Sequence, residues 1–286
     1  DKNLIYLLSI SLLNVGSNAL KYKKIASHKI DSELLLSRVL RKSREEILTN
    51  LNQDINFSNI FKFKNLIERR SQKEPIAYIT RKKEFWSKVF IVNSNTLIPR
   101  PETELMVEKL VKIFKDKEIS LLDIGTGSGC IIISLLSELK KSKGVGIDIS
   151  NKAILIAKKN AKIHNLNNRI KLFNKSFDNF YNRSFDLIVS NPPYIKSSEL
   201  NNLEDDIKKY EPLLALDGGN DGLDVIKKVI YKSRKILKIK GKLALEIGNE
   251  QYLKVSKILK ENSYKIDYII KDYKENIRCL ISTLKN

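Results

Sequence analysis

The chain has 286 residues, 42% of them hydrophobic and 30% charged, with a formal net charge of +20. This excludes disordered and collagen-like classes and leaves room for a full-sized domain plus a smaller one. Apolar runs stay short of membrane-spanning length, and two cysteines and two isolated histidines suggest neither a disulfide framework nor a zinc site. Metal-free chemistry in a reducing, cytoplasmic setting is therefore expected. The lysines are scattered rather than clustered. The charge allows direct nucleic-acid contact without requiring it, and equally follows from a Lys-, Ile- and Asn-rich composition.

The first residue is Asp1 rather than Met, so the chain reads as trimmed. Residues 4–13 look faintly like a signal core. They lack a basic lead and a small-residue cleavage site, and so predict a helix. Residues 1–72 predict a small all-α domain. Asp31-Ser32 is placed as a cap before an apolar stripe, Ser43-Arg44-Glu45-Glu46 reads as a capping box, and Ser58 is expected to open a further helix. Such a module is either a structural cap or a docking surface for a macromolecular substrate. Residues 73–98 are aromatic and β-branched and predict a linking hairpin, with strands over 76–79 and 84–92. Phe85 and Trp86 are core residues or walls of a site.

Residues 99–286 alternate strand and helix. Pro99 and Pro101 hold the chain extended around Arg100, and Pro101 or Glu102 starts a helix. Arg100 reads either as a salt bridge between domains or as a contact near a cofactor. A strand over 119–124 then runs into Gly125-Thr126-Gly127-Ser128-Gly129, followed by an apolar helix. Glycines allow a sharp turn and close ligand approach, and strand–loop–helix is the context such a loop needs. The next strand ends in Asp148, an acid suited to a ribose diol. The spacing is not that of the dinucleotide fingerprint, so a nucleoside ligand without a diphosphate fits better. A third strand over 170–173 leads to Lys175-Ser176-Phe177. A fifth strand is expected over 242–247, and two last strands over 264–271 and 277–283 must pair antiparallel for want of a helix between them.

The fourth strand, over 185–190, ends at Asn191-Pro192-Pro193-Tyr194. Neither proline has an N–H to continue a ladder, and Pro192 keeps Asn191 extended. Asn191 is thus held at the carboxyl end of a strand, where open α/β sheets bind ligands. Its side-chain carbonyl and the Pro192 backbone carbonyl make a pair of acceptors suited to a planar NH2 group. The plainer alternative is a strand-ending turn.

Together with Arg81-Lys82-Lys83-Glu84-Phe85-Trp86, Leu97-Ile98-Pro99-Arg100-Pro101-Glu102-Thr103-Glu104, Glu211-Pro212-Leu213-Leu214-Ala215-Leu216 and Gly218-Gly219-Asn220-Asp221-Gly222-Leu223, these motifs resemble the release factor glutamine methyltransferases, class I S-adenosylmethionine-dependent enzymes. The resemblance covers nearly the whole chain. It implies a Rossmann-like, mostly parallel sheet with an antiparallel C-terminal edge hairpin, preceded by the all-α domain. It also implies S-adenosyl-L-methionine as cofactor, held by Gly125 to Gly129, Asp148, Ser176 and Asn191. Where many relatives carry an acidic residue and a large apolar one after the third strand, this chain has Lys175-Ser176, and Phe177 offers the apolar surface. The implied substrate is the glutamine amide in the Gly-Gly-Gln motif of peptide chain release factors, bound by Asn191, Pro192, Pro193 and Tyr194 and walled by Phe85. Asn191, Pro192 and Tyr194 carry the implied catalysis. The same four-residue motif also serves enzymes that methylate amino groups of nucleic-acid bases, which stands as the alternative.

Overall fold

The computed structural model describes residues 7–179 and 185–285. These fall into two compact units, one ending at Arg81 and including Glu204–Tyr210, the other running from Lys82 to Leu203 and from Glu211 onward.

In the first unit, β1 (Leu7–Leu8) leads into α1 (Ser9–Tyr22), α2 (His28–Leu40) and α3 (Arg44–Thr49). β2 (Asp54–Ile55) pairs antiparallel with β1, and α4 (Phe57–Ser71) and α5 (Ile76–Thr80) follow. Residues 4–6 of the apolar run at the start lie outside the described residues; of the rest, Leu7 and Leu8 form β1 rather than the expected helix, which begins only at Ser9. The core gathers Leu12, Leu20, Leu35, Leu36, Ile47 and Phe63. The helices approach closely at Gly16, where a Cβ would stand 2.6 Å from Phe63 and 2.7 Å from Ser32. The capping box at Ser43 and Glu46 forms as the sequence predicts.

Three further local expectations fail here. Asp31 and Ser32 do not cap a helix; they are buried inside α2, where Asp31 receives the Arg70 guanidinium at 2.7 Å and Ser32 donates to the Leu13 carbonyl. Asn56, not Ser58, caps α4 by accepting from the Asn59 N–H. Residues 76–79 form the short helix α5 rather than a strand, with Ala77, Tyr78 and Ile79 buried. A run of four apolar residues fits either periodicity, and packing decides between them.

The second unit opens with β3 (Lys82–Phe85) and β4 (Lys88–Ile91), an antiparallel hairpin. The sequence reads one strand through 84–92. The structure breaks it at Trp86 and Ser87, whose φ of 53° and 51° make the left-handed two-residue turn that matches strand twist. No Asn-Gly pair announces this turn. It is secured instead by Trp86, whose backbone N–H donates to Glu104 at 2.9 Å and whose indole N–H donates to Glu138 at 3.0 Å. The hairpin edge is tied inward by Asn160, which donates to the Ile91 carbonyl and accepts from the Ile91 N–H.

Then come α6 (Pro101–Phe114), β5 (Ser120–Ile124), α7 (Cys130–Glu138), β6 (Lys143–Asp148), α8 (Asn151–Ile163), β7 (Ile170–Asn174) and β8 (Phe185–Ser190). After α9 (Asp205–Tyr210), which belongs to the first unit, the chain continues through α10 (Asp224–Ile236), β9 (Leu237–Glu246), α11 (Tyr252–Glu261), β10 (Tyr264–Lys271) and β11 (Ile277–Leu284). The seven strands lie in the order β10-β11-β9-β8-β5-β6-β7, parallel except for β11, which is antiparallel to both neighbours. One apolar layer, with Met106, Leu110, Ile132 and Leu136, covers one face; another, with Ile226, Ile230, Val255 and Leu259, covers the other. This is why the middle strands read as continuous apolar runs. β5 has β6 on one side and β8 on the other, so the strand order reverses there. A crevice opens at the carboxyl ends of strands at such a reversal.

Candidate active site

A cavity of about 750 Å³ occupies that crevice. The glycine loop closes one side of it. Gly125, Gly127 and Gly129 have φ of 71°, 55° and 80°, left-handed values that other residues adopt only under strain. A Cβ on Gly125 or Gly127 would meet no side chain within 4 Å, so those positions face open space. Gly129 instead lies against Ile133 and Ala157 and lets α7 and α8 approach. The N–H groups of Gly125 and Thr126 both donate to the Ile147 carbonyl, fastening the loop to the end of β6.

Two carboxylates organise the loop. Asp148 Oδ2 accepts from the Gly127 N–H at 2.9 Å and Oδ1 from the Ser150 N–H at 2.8 Å. Burial pushes its carboxyl up, against the pull of those backbone donors. Asp123, beneath the loop, accepts from Thr126 Oγ1 at 2.7 Å, and complete burial pushes it up to about 7. Asp148 lines the cavity together with Ile149, Ala153, Ser176 and Phe177. The donor set suits a nucleoside: a carboxylate for a diol, apolar side chains for a base, and glycines that admit close approach.

Across the cavity, Asn191, Pro192 and Pro193 form the other wall. They are braced from behind by the loop 218–222. A Cβ at Gly218 would stand 2.8 Å from Tyr194 Cα and 2.9 Å from the Pro193 carbonyl, and one at Gly222 would stand 2.5 Å from the Tyr194 carbonyl. Those glycines are therefore required for the close approach of two backbones. Arg100 lines the cavity and pairs at 2.5 Å with Glu211, a buried carboxylate that also accepts from the Ile98 N–H. Both sequence readings of Arg100 are thereby narrowed: the pair is internal to the second unit, and it borders the cavity. Leu213 and Leu214, each 60% exposed, form an apolar rim.

The structure thus gathers Gly125, Thr126, Gly127, Ser128, Asp148, Ser176, Asn191, Pro192 and Pro193 around one cavity, with Gly129 behind the loop. Two expected residues lie elsewhere. Phe85 is 1% exposed and packs edge-on to Phe90 at 6.2 Å, so it cannot wall a substrate. Its place on β3 points it into the same core as Met106 and Leu110. Tyr194 does not reach the cavity either. Its ring packs into the core beside β9, and its hydroxyl lies 3.5 Å from Glu246 Oε1, which gives both the apolar body and the polar tip a partner. Sequence reasoning missed Thr103 and Glu246. A single carboxylate at the end of the apolar run Leu243-Ala244-Leu245-Glu246-Ile247 was the available signal, since Glu is rarely buried without a purpose.

The sheet order, the glycine loop and the acid after the second parallel strand define the class I methyltransferase fold. A methyltransferase from Pyrococcus furiosus shares it, with a TM-score of 0.52 at 19% identity over 69% of this chain and 89% of that one. Residues 100–210 match the methyltransferase small domain and residues 11–80 the PrmC N-terminal domain. The release factor glutamine methyltransferase of Buchnera aphidicola is 39% identical over 92% of this chain and 95% of its own length. The chain belongs to the release factor glutamine methyltransferase family. It is also 38% identical, over 94% of its length, to a bifunctional methyltransferase of Rickettsia typhi, of which it spans 56%. It thus covers about half the length of that group of relatives.

Proposed function

We propose that this protein transfers a methyl group from S-adenosylmethionine to the side-chain amide nitrogen of the glutamine in the Gly-Gly-Gln motif of peptide chain release factors, in the cytoplasm. The observation that carries this reading is one cavity with Gly125, Gly127 and Asp148 on one wall and Asn191 and Pro192 on the other. Membership of the family supports it. Among the described residues no helix is long and apolar enough to cross a membrane. The unit that ends at Arg81 is proposed to dock the release factor.

Asp148 would accept hydrogen bonds from the ribose hydroxyls, and Phe177 and Ile149 would flank the adenine. Bound S-adenosylmethionine supplies an electrophilic methyl on a sulfonium, which requires no metal. The difficulty lies with the acceptor, because an amide nitrogen has a delocalised lone pair. Asn191 Oδ1 and the Pro192 carbonyl would accept the two N–H groups of the glutamine amide and aim its lone pair across the cavity. Both acceptors oppose the positive charge that develops on nitrogen as the new bond forms. Catalysis is then positioning plus electrostatic stabilisation. The surplus proton leaves the methylated nitrogen to water, so no general base is needed before transfer.

Labelled cofactor offered with release factor, and separately with nucleic acid, tests the proposal. Fragment mass spectrometry should place one methyl on the Gly-Gly-Gln glutamine side chain. A methyl on the backbone, on lysine or on RNA would overturn it, and label on a base would establish the amino-methylating alternative.

A further inference from the structure

Glu246 is a completely buried carboxylate that lies outside the cavity, directly behind Asn191. β8 and β9 run parallel with Ser190 opposite Leu245, so Asn191 and Glu246 are neighbours one residue further on. Thr103 Oγ1, from α6, donates to Glu246 Oε2 at 2.5 Å. The Tyr194 hydroxyl stands 3.5 Å from Oε1, and the parallel register sets the Asn191 side chain beside the carboxylate, on the same face of the sheet.

An Asn side chain has an acceptor end and a donor end, and an ionised carboxylate can only accept. With Glu246 ionised, the Asn191 amide beside it is favoured with its NH2 toward the carboxylate, which turns Oδ1 away from it, toward the cavity. We propose that Glu246 is a positioning residue: it fixes the orientation of the Asn191 amide so that its oxygen, and not its nitrogen, is presented to the methyl acceptor. This rests on the assignment of Asn191 as the acceptor-binding residue. A cavity-facing NH2 would repel a substrate NH2, so the orientation decides whether the site binds productively.

Protonation of Glu246 would create an O–H donor there and favour the opposite amide orientation. The charged and titratable neighbours bear on this from every side. Burial pushes Glu246 up to about 7; Thr103, Arg278 and Asn191 act against that, and Glu102 of α6 adds to it. Cys130, at the start of α7, and Cys279, opposite Glu246 on β11, both have thiols pushed up by burial and by this carboxylate. Tyr194 is pushed up likewise. The carboxyl is thus the group of this cluster that titrates near neutrality.

The test compares Glu246→Leu and Glu246→Gln with the unaltered protein. Leu keeps the bulk but removes the acceptor, and it leaves the buried Thr103 hydroxyl without its partner, so retained cofactor affinity is the check that the fold survives. Gln keeps an acceptor oxygen. We expect kcat for release factor to fall about a hundredfold in Glu246→Leu, with cofactor affinity little changed, and to recover to within tenfold in Glu246→Gln. A Glu246→Leu variant with kcat within threefold of the parent overturns the proposal, as does a Glu246→Gln variant no faster than Glu246→Leu. A second readout uses no methyl acceptor. The side-chain NH2 resonances of Asn191, identified by their loss in Asn191→Ala, should shift as Glu246 titrates and stay fixed in Glu246→Gln; fixed resonances in the parent overturn the proposal. Absence of methyl transfer by the parent protein would instead strike the release-factor reading and leave this measurement standing.

Discussion

Asp148 and Glu246 sit at the same station on two strands of one sheet, the last residue of β6 and of β9. They differ in what holds them. Asp148 is held by two backbone N–H groups and borders the cavity, so it keeps lone pairs for a ligand. Glu246 is held by side chains and faces none of the cavity. Position on a sheet therefore does not assign a role to a carboxylate. One is suited to bind a ligand directly, and the other acts only through a neighbour.

The largest expected effect falls on the residue that Glu246 serves. Asn191→Ala should lower turnover roughly 10²–10³-fold, the usual loss for one preorganised transition-state contact. Cofactor affinity, measured by calorimetry, should fall far less. Equal losses in the two quantities would erase the division of labour between the two walls.

The second effect is on stability and separates the two carboxylates by pH. In the fold Glu246 holds its proton up to about 7, against an ordinary value of 4.5. Between those values the folded state binds the proton and the unfolded state does not. The contribution to stability is fully present below about pH 4.5 and is lost as pH rises through about 7. Glu246→Gln should therefore gain on the parent protein in denaturant titrations as pH rises from 5 to 8, by up to about 3 kcal/mol. Asp123, also pushed up to about 7, retains its own share of the slope. A constant difference across that range would mean that Glu246 titrates normally.

Asp148→Ala should weaken cofactor binding by about 1.5–3 kcal/mol, because charge-assisted hydrogen bonds are lost. Turnover at saturating cofactor should change little. Asp148→Asn, which keeps an acceptor for the Gly127 N–H, checks that the loop has not simply collapsed. Unchanged affinity in both variants removes Asp148 from the binding site.

The smallest effect belongs to Thr103→Val. It removes one neutral donor to Glu246, worth about 1 kcal/mol. The midpoint of the Glu246 titration should move up by somewhat less than one pH unit. A downward movement would show that Thr103 does not stabilise the charged form.

The glycine loop, Asp148 and Asn191 were legible because each is a local statement. A left-handed turn favours glycine, and Pro192 restricts the residue before it, whatever the rest of the chain does. The antiparallel end of the sheet was legible from connection length alone. The break at Trp86 and Ser87 was not, because Glu104 and Glu138, distant in sequence, hold a turn that the local residues do not favour.

The sequence by itself determined the alternation of strands and helices, the loop that shapes one wall of the cavity and the motif that shapes the other. These follow from backbone restrictions and hydrophobic period, which act over a few residues. Only the tertiary structure decided which side chains face the cavity and which carboxylates are ionised. Phe85 and Tyr194 turn inward because core burial outweighs any local preference. Glu246 gains its neighbours from α6, from the segment that follows β8 and from β11, which meet only when the sheet is assembled. Desolvation and hydrogen bonding depend on that three-dimensional neighbourhood, and no local pattern in the chain encodes them.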